Sequence, residues 1–141
     1  MPRKHSSRLS GFILGLMLGL CSGSTWAAPI VFQATAAGAE SAVLELETDQ
    51  LVTMKVIPFR LTIKEASGQP LTGAKVSCDM TMPSMAMPEN RPKVMERADG
   101  SYGGELIFTC AQGAWRITCV AEKRDGSSQT AIFDIPRVRM K

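Results

Sequence analysis

Four methionines fall within eight residues, Met80, Met82, Met85 and Met87, in the run Met80-Thr-Met-Pro-Ser-Met-Ala-Met-Pro88. Thioether sulfur is a soft, uncharged donor that suits Cu(I), so a cluster of it points to copper handling. Two or three sulfurs from one bent segment can converge on a single Cu(I) and leave it open to exchange. Cys78, just ahead of the run, is an additional candidate donor as a thiolate. The candidate metal ligands are therefore Met80, Met82, Met85, Met87 and Cys78.

Core packing and partner binding compete with copper as roles for these side chains. Methionine is adaptable core filler, and Met-rich surfaces also grip protein partners. In Lys75 to Met82, the residues Val76, Cys78, Met80 and Met82 share one parity, while Lys75, Ser77, Asp79 and Thr81 share the other. That is the period of a strand with one buried face, and it fits Met80 and Met82 as inward residues. The case for packing weakens after Pro83. Met85 and Met87 lie between Pro83 and Pro88, and proline at both ends disfavours continuing a ladder. Exposed thioethers are expected there, where a surface loop has little packing use for them.

Which residues exist in the working protein depends on export. Arg3, Lys4 and Arg8 precede a short apolar core, Gly11 to Leu20, and small residues then lead to Thr25-Trp26-Ala27. This is the pattern of a signal peptide over residues 1–27, cleaved after Ala27. The apolar run is about half of the roughly 20 residues that a membrane span needs. A periplasmic or secreted protein without a stable membrane span is expected. Cys21 follows Leu20, where a lipidation signal would carry a small residue.

Cleavage changes the electrostatics. Three of the 16 basic residues lie in the leader, and the 13 that remain equal the 13 acidic ones. A basic footprint for nucleic acid is thus absent from the mature chain. The only histidine, His5, also leaves, so no imidazole serves as general base or zinc ligand. Serine and threonine lack an activating base and the carboxylates form no evident acid–base couple, so no enzyme is expected.

The positioning elements are β-strands. Val43 to Glu47 alternates, Met54 to Ile63 reads as a long strand with Pro58 marking an edge or bulge, and Lys75 to Met82 follows a Ser67 to Gly73 turn. Lys93 to Ala98, Tyr102 to Cys110, Trp115 to Glu122 and Thr130 to Ile135 complete the set, with turns at Asp99-Gly100, Gln112-Gly113 and Asp125-Gly126. Ala34 to Ala42 has room for a helical turn or two. About seven strands without a βαβ rhythm predict an all-β, immunoglobulin-like antiparallel β-sandwich. The expected layout is an N-terminal strand or linker over 28–50, a sandwich over 51–136 and a basic tail over 137–141.

Three cysteines remain after cleavage, Cys78, Cys110 and Cys119, in an oxidising compartment. If Ala111 to Ala114 closes a hairpin, Cys119 lies opposite Leu106, too far along the ladder from Cys110 for a bond. Cys78 would then reach Cys119 or Cys110 across the sandwich near Trp115, as in immunoglobulin domains. Three buried thiols, or a copper thiolate, are the alternatives.

The stretch Gly68 to Asn90, followed by Asp99-Gly-Ser-Tyr-Gly-Gly104 and Gly113-Ala-Trp-Arg-Ile117, resembles YtkA-like domains, which also occur in FixH-type proteins. The resemblance spans about Leu51 to Ile135. It implies a small β-sandwich outside the cytoplasmic membrane, linked in some relatives to copper supply or respiratory oxidase assembly, with Met82, Met85 and Met87 matching the family's methionine run. The expected role is Cu(I) binding and delivery, as a metallochaperone, to an envelope partner such as a copper-requiring oxidase or efflux component. The alternative is a metal-free module that helps assemble an envelope or respiratory complex.

Overall fold

Apolar residues at every second position set the strands. In Val56–Ile63 this places Ile57, Phe59, Leu61 and Ile63 on one face, each at most 2% exposed. The computed structural model describes residues 28–35, 41–109 and 112–141. Among these, eight strands form: β1 (Ile30–Gln33), β2 (Ala42–Leu46), β3 (Val56–Ile63), β4 (Lys75–Thr81), β5 (Met95–Glu96), β6 (Tyr102–Ile107), β7 (Gly113–Glu122) and β8 (Ser128–Val138). The expected leader lies outside the described residues, as do positions 36–40 of the segment given room for a helical turn.

One sheet runs β1-β2-β3-β6-β5 and the other β4-β7-β8, with every strand pairing antiparallel. Without β1, this is the ABED-over-CFG arrangement of a constant-type immunoglobulin sandwich. The inner faces meet in a core that includes Leu44, Phe59, Tyr102, Phe108, Trp115 and Phe133. Phe108 and Trp115 pack edge to face with centroids 5.3 Å apart, a geometry favoured by the ring quadrupoles. No helix among the described residues is long and apolar enough to cross a membrane.

Several expectations are corrected. Pro58 stands in a central strand, between β2 and β6, rather than at an edge or bulge. Its carbonyl accepts from Glu47 N just beyond the end of β2, so its missing N–H faces that same residue and takes no bond from the β2 ladder. Strands β6 and β7 form no hairpin. They belong to different sheets, and the chain between them crosses the sandwich. The larger sheet takes in β1 and β2 ahead of residue 51, while β8 continues to Val138 and Arg139 bridges Val52.

That crossing changes the cysteine geometry. Cys119 faces Cys78, not Leu106, and the two are joined by a disulfide between neighbouring strands of one sheet rather than across the sandwich. Their Cα atoms are 4.1 Å apart, the close spacing of a non-hydrogen-bonded antiparallel pair. Cys110 lies outside the described residues.

The bond ties β4, an edge strand with a single strand neighbour, to β7. With a sequence separation of 41, the chain-entropy model assigns the crosslink about 3–4 kcal/mol. Replacing both cysteines by alanine should lower the urea unfolding free energy by about that amount, with native far-UV circular dichroism retained below the transition. A loss under about 1 kcal/mol would mean that the denatured chain gains little freedom from the cut.

Candidate functional site

The methionine run ends β4 and begins the crossover that carries the chain from the smaller sheet to β5 in the larger one. On β4, Cys78 and Met80 occupy non-hydrogen-bonded positions opposite β7, so their backbone groups point to the free edge. Met80 N finds the Asn90 carbonyl there, 2.9 Å away. The Asn90 side chain donates in turn to Ile107 O at 3.0 Å and to Thr109 Oγ1 at 3.4 Å. Asn90 thereby links the exit of the loop to both sheets.

Two glycines shape this end, one by a close approach and one by its backbone conformation. A Cβ on Gly104 would collide with the Lys93 carbonyl oxygen, so only glycine lets the returning segment lie against β6. Gly113 is required by its φ of 135°, and Met82 Cε lies 3.4 Å from where a Cβ would stand, an ordinary van der Waals contact. At the other end of β4, Tyr102 Oη donates to Leu71 O at 2.8 Å and accepts from Ala74 N at 3.2 Å. Burial pushes the phenol pKa up, opposed by the Ala74 hydrogen bond and aided by Glu96. The strand is thus pinned before and after its alternating stretch.

Between these anchors, Met82-Pro83-Ser84-Met85 makes a tight turn. Met85 N donates to Met82 O at 3.3 Å, and the two methionines are bridge partners. Proline in the second place presets the φ that such a turn requires. Residues directly opposite in an antiparallel bridge project to the same side, which brings these two side chains into reach of each other.

The four candidate sulfurs have different surroundings. Met80 is fully buried, Met82 is 5% exposed, Met85 is 48% exposed, and Met87 is half-buried against the core. Met80 is therefore a packing residue whose side chain lies beside that of Ile117 inside the sandwich, not a loop ligand. Cys78 presents no thiolate while bonded to Cys119. The set that the loop brings toward its surface is Met85 and Met87, with Met82 beneath the turn. No group of three or more histidine, cysteine or acidic side chains gathers among the described residues.

Sequence reasoning concentrated on the run and passed over Met54, Met95 and Met140, which are 63%, 62% and 62% exposed. Only isolation from the run set them apart in the sequence, and their exposure depends on turn geometry and strand ends that alternation does not report.

A two-sheet sandwich whose edge-to-edge crossover displays thioethers defines the structural class. A family model described as YtkA-like matches residues 36–120, more than half of the chain. The protein belongs to the YtkA-like family. No match was found among curated proteins.

The burial order gives a direct chemical test. Under limiting hydrogen peroxide, peptide mass mapping should find sulfoxide first at Met54, Met85, Met95 and Met140, later at Met87, and last at Met82 and Met80. Early oxidation of Met80 in the folded protein would contradict its placement in the core.

Proposed function

We propose that this protein binds Cu(I) at the Met82–Met87 loop in the periplasm or outside the cell and delivers it to an envelope partner. Met85 and Met87 are the donors at the surface, and Met82 supplies a third sulfur from below the turn. One observation carries this reading. A tight turn between fixed anchors presents Met85 half-exposed directly opposite Met82, although a solvated turn has no packing need for a thioether. Family membership agrees with a small domain of periplasmic type.

The donor chemistry selects the oxidation state. Thioethers without imidazole or carboxylate favour Cu(I) over Cu(II) and leave zinc poorly served. No ligand carries a proton, so binding releases none. A partly covered set of neutral donors also suits transfer, because an incoming ligand approaches the ion from the open side. Catalysis has no part in the proposed role.

A metal-free docking role is the second reading, and it rests on Val56 and Ile107. These register partners stand 50% and 36% exposed on the outer face of the larger sheet, and Asn90 of the loop bonds the carbonyl of Ile107. An apolar pair adjoining a methionine loop suits an adaptable protein contact.

Competition for Cu(I) against a chromogenic chelator separates the two. Met85→Leu with Met87→Leu keeps volume and apolarity while deleting sulfur, and should weaken binding by at least the roughly 10–100-fold that outer-shell changes already cost. Wild-type affinity should stay flat between about pH 5 and pH 8, since thioethers do not titrate. Unchanged affinity in the double variant removes the copper assignment, and retention of an envelope partner by that variant supports the docking role.

A further inference from the structure

We propose that Arg137 and Arg139, where β8 ends, bind the phosphoryl group of a phosphate ester in the cleft they share with Asp49, Gln50 and Leu51. The site is independent of the Cu(I) role and of the methionine loop.

A bulge in β8 aims both arginines outward. Trp115 pairs with Ile135 but Gly113 pairs with Val138, so Pro136 and Arg137 together stand opposite Ala114. One extra residue in a strand reverses the facing of every residue beyond it. Ahead of the bulge, Ala131, Phe133 and Ile135 are buried. Past it, Val138 is buried instead, and Arg137 and Arg139 are exposed. Without the extra residue, both arginines would share the parity of the core. Proline suits the position, because a bulged residue leaves the ladder and needs no N–H.

The two side chains line a cleft of about 320 Å³ with Asp49, Gln50 and Leu51, at the lower end of the roughly 300–1,000 Å³ of small-molecule sites. Its walls are tied to each other. Arg139 N donates to Leu51 O at 2.9 Å, and Thr53 N donates to Arg139 O at 2.8 Å. The loop wall is braced from behind, where Thr48 Oγ1 accepts from Gln50 N at 3.2 Å and from Lys55 Nζ at 3.0 Å and donates to Gln50 O at 2.9 Å. The cleft is therefore built from fixed backbone on both sides.

Its charge calls for an anion. Two guanidinium groups outnumber the Asp49 carboxylate in the lining, and Lys55 adds positive charge behind the loop. Neither arginine is ion-paired with a carboxylate among the described residues, Asp49 included. Side chains two apart on one strand face rise from backbone roughly 7 Å apart, so the two cations repel unless an anion lies between them. A planar carboxylate fills one guanidinium fork, whereas a tetrahedral phosphoryl group offers oxygens to two forks at once. The remaining volume takes the alcohol that the phosphate esterifies. A soluble ester and a phospholipid headgroup present the same chemistry to this pair.

The test follows the Arg137 and Arg139 Nε–Hε signals of the mature chain by NMR during titration with glycerol 3-phosphate, with succinate as the dicarboxylate control. A parallel arm measures co-sedimentation with vesicles of phosphatidylglycerol in phosphatidylcholine. Binding in either arm should move both signals or require both arginines, while the signal of Arg91, held by Glu89, stays still. Succinate should bind about tenfold more weakly than glycerol 3-phosphate. Arg137→Gln with Arg139→Gln should keep the unfolding midpoint and the response to Cu(I), yet weaken phosphoryl binding about tenfold for each arginine removed. Binding of the ester alone assigns a soluble ligand, and vesicle binding alone assigns the headgroup. Absence of binding in both arms, binding retained by the double variant, or an equal response to succinate would overturn the site, whatever the methionine loop does with Cu(I).

Discussion

The two-residue period of β4 is the constraint on which the methionine chemistry depends. A strand that buries one face sends alternate side chains to the core regardless of their chemistry. Cys78, Met80 and Met82 fall on that face and are at most 5% exposed. Two of the run's four sulfurs are therefore committed to the interior before the loop begins. Within the run, the break at Pro83 is what allows a thioether to face water, because the turn it starts reverses the chain and carries Met85 back opposite Met82.

That turn would wander if its ends were free. Strand β4 lies at the edge of a three-stranded sheet, and a flexible crossover gains nothing from proximity alone. The Cys78–Cys119 bond, the Met80–Asn90 backbone bond and the Asn90 side chain act in series to fix it. The Gly104 approach supplies the steric counterpart. The same residues explain the spacing of the recognisable motifs. In Asp99-Gly-Ser-Tyr-Gly-Gly104, Asp99 accepts from Ser101 N and Oγ, which holds its carboxylate below the usual range, while Tyr102 pins the approach to β4. In Gly113-Ala-Trp115, the glycine receives Met82 and the tryptophan packs on Phe108.

Most strands were legible in the sequence because their faces differ in polarity, and β3, β4 and β7 alternate without interruption. Strand β1 was not legible as a separate element, since Ile30 to Gln33 is short and its burial is only partial. The expected strand over Lys93 to Ala98 shrinks to Met95 and Glu96, because the segment before it is held by the Lys93 approach to Gly104 rather than by a ladder. The β6–β7 connection was misjudged for a more basic reason. A glycine-containing gap of a few residues satisfies a hairpin and a sheet-to-sheet crossing equally, and only the partners of both strands decide between them. The pairing of Cys78 with Cys119 was one of the two expected, and only its placement across the sandwich, rather than between neighbouring strands, needed correction. Inward parity at Met80 was readable, whereas the left-handed backbone of Met54 leaves no trace in residue type because methionine is an uncommon occupant of that region.

What distinguishes a transfer surface from a storage site is the unevenness of its donors. A fully enclosed set of sulfurs would hold an ion strongly but require the sandwich to open before release. A fully exposed set would spend side-chain entropy each time it gathered around the ion. Here Met82 lies against Gly113 and Met87 packs on the core, so two of the three proposed donors are already partly ordered. Met85 alone keeps substantial freedom at the tip. On the proposed Cu(I) role, an arriving ligand would displace the exposed Met85 thioether first, while the more ordered pair would retain the ion during exchange. The sandwich supplies this gradient of order simply by ending a buried strand with a proline turn.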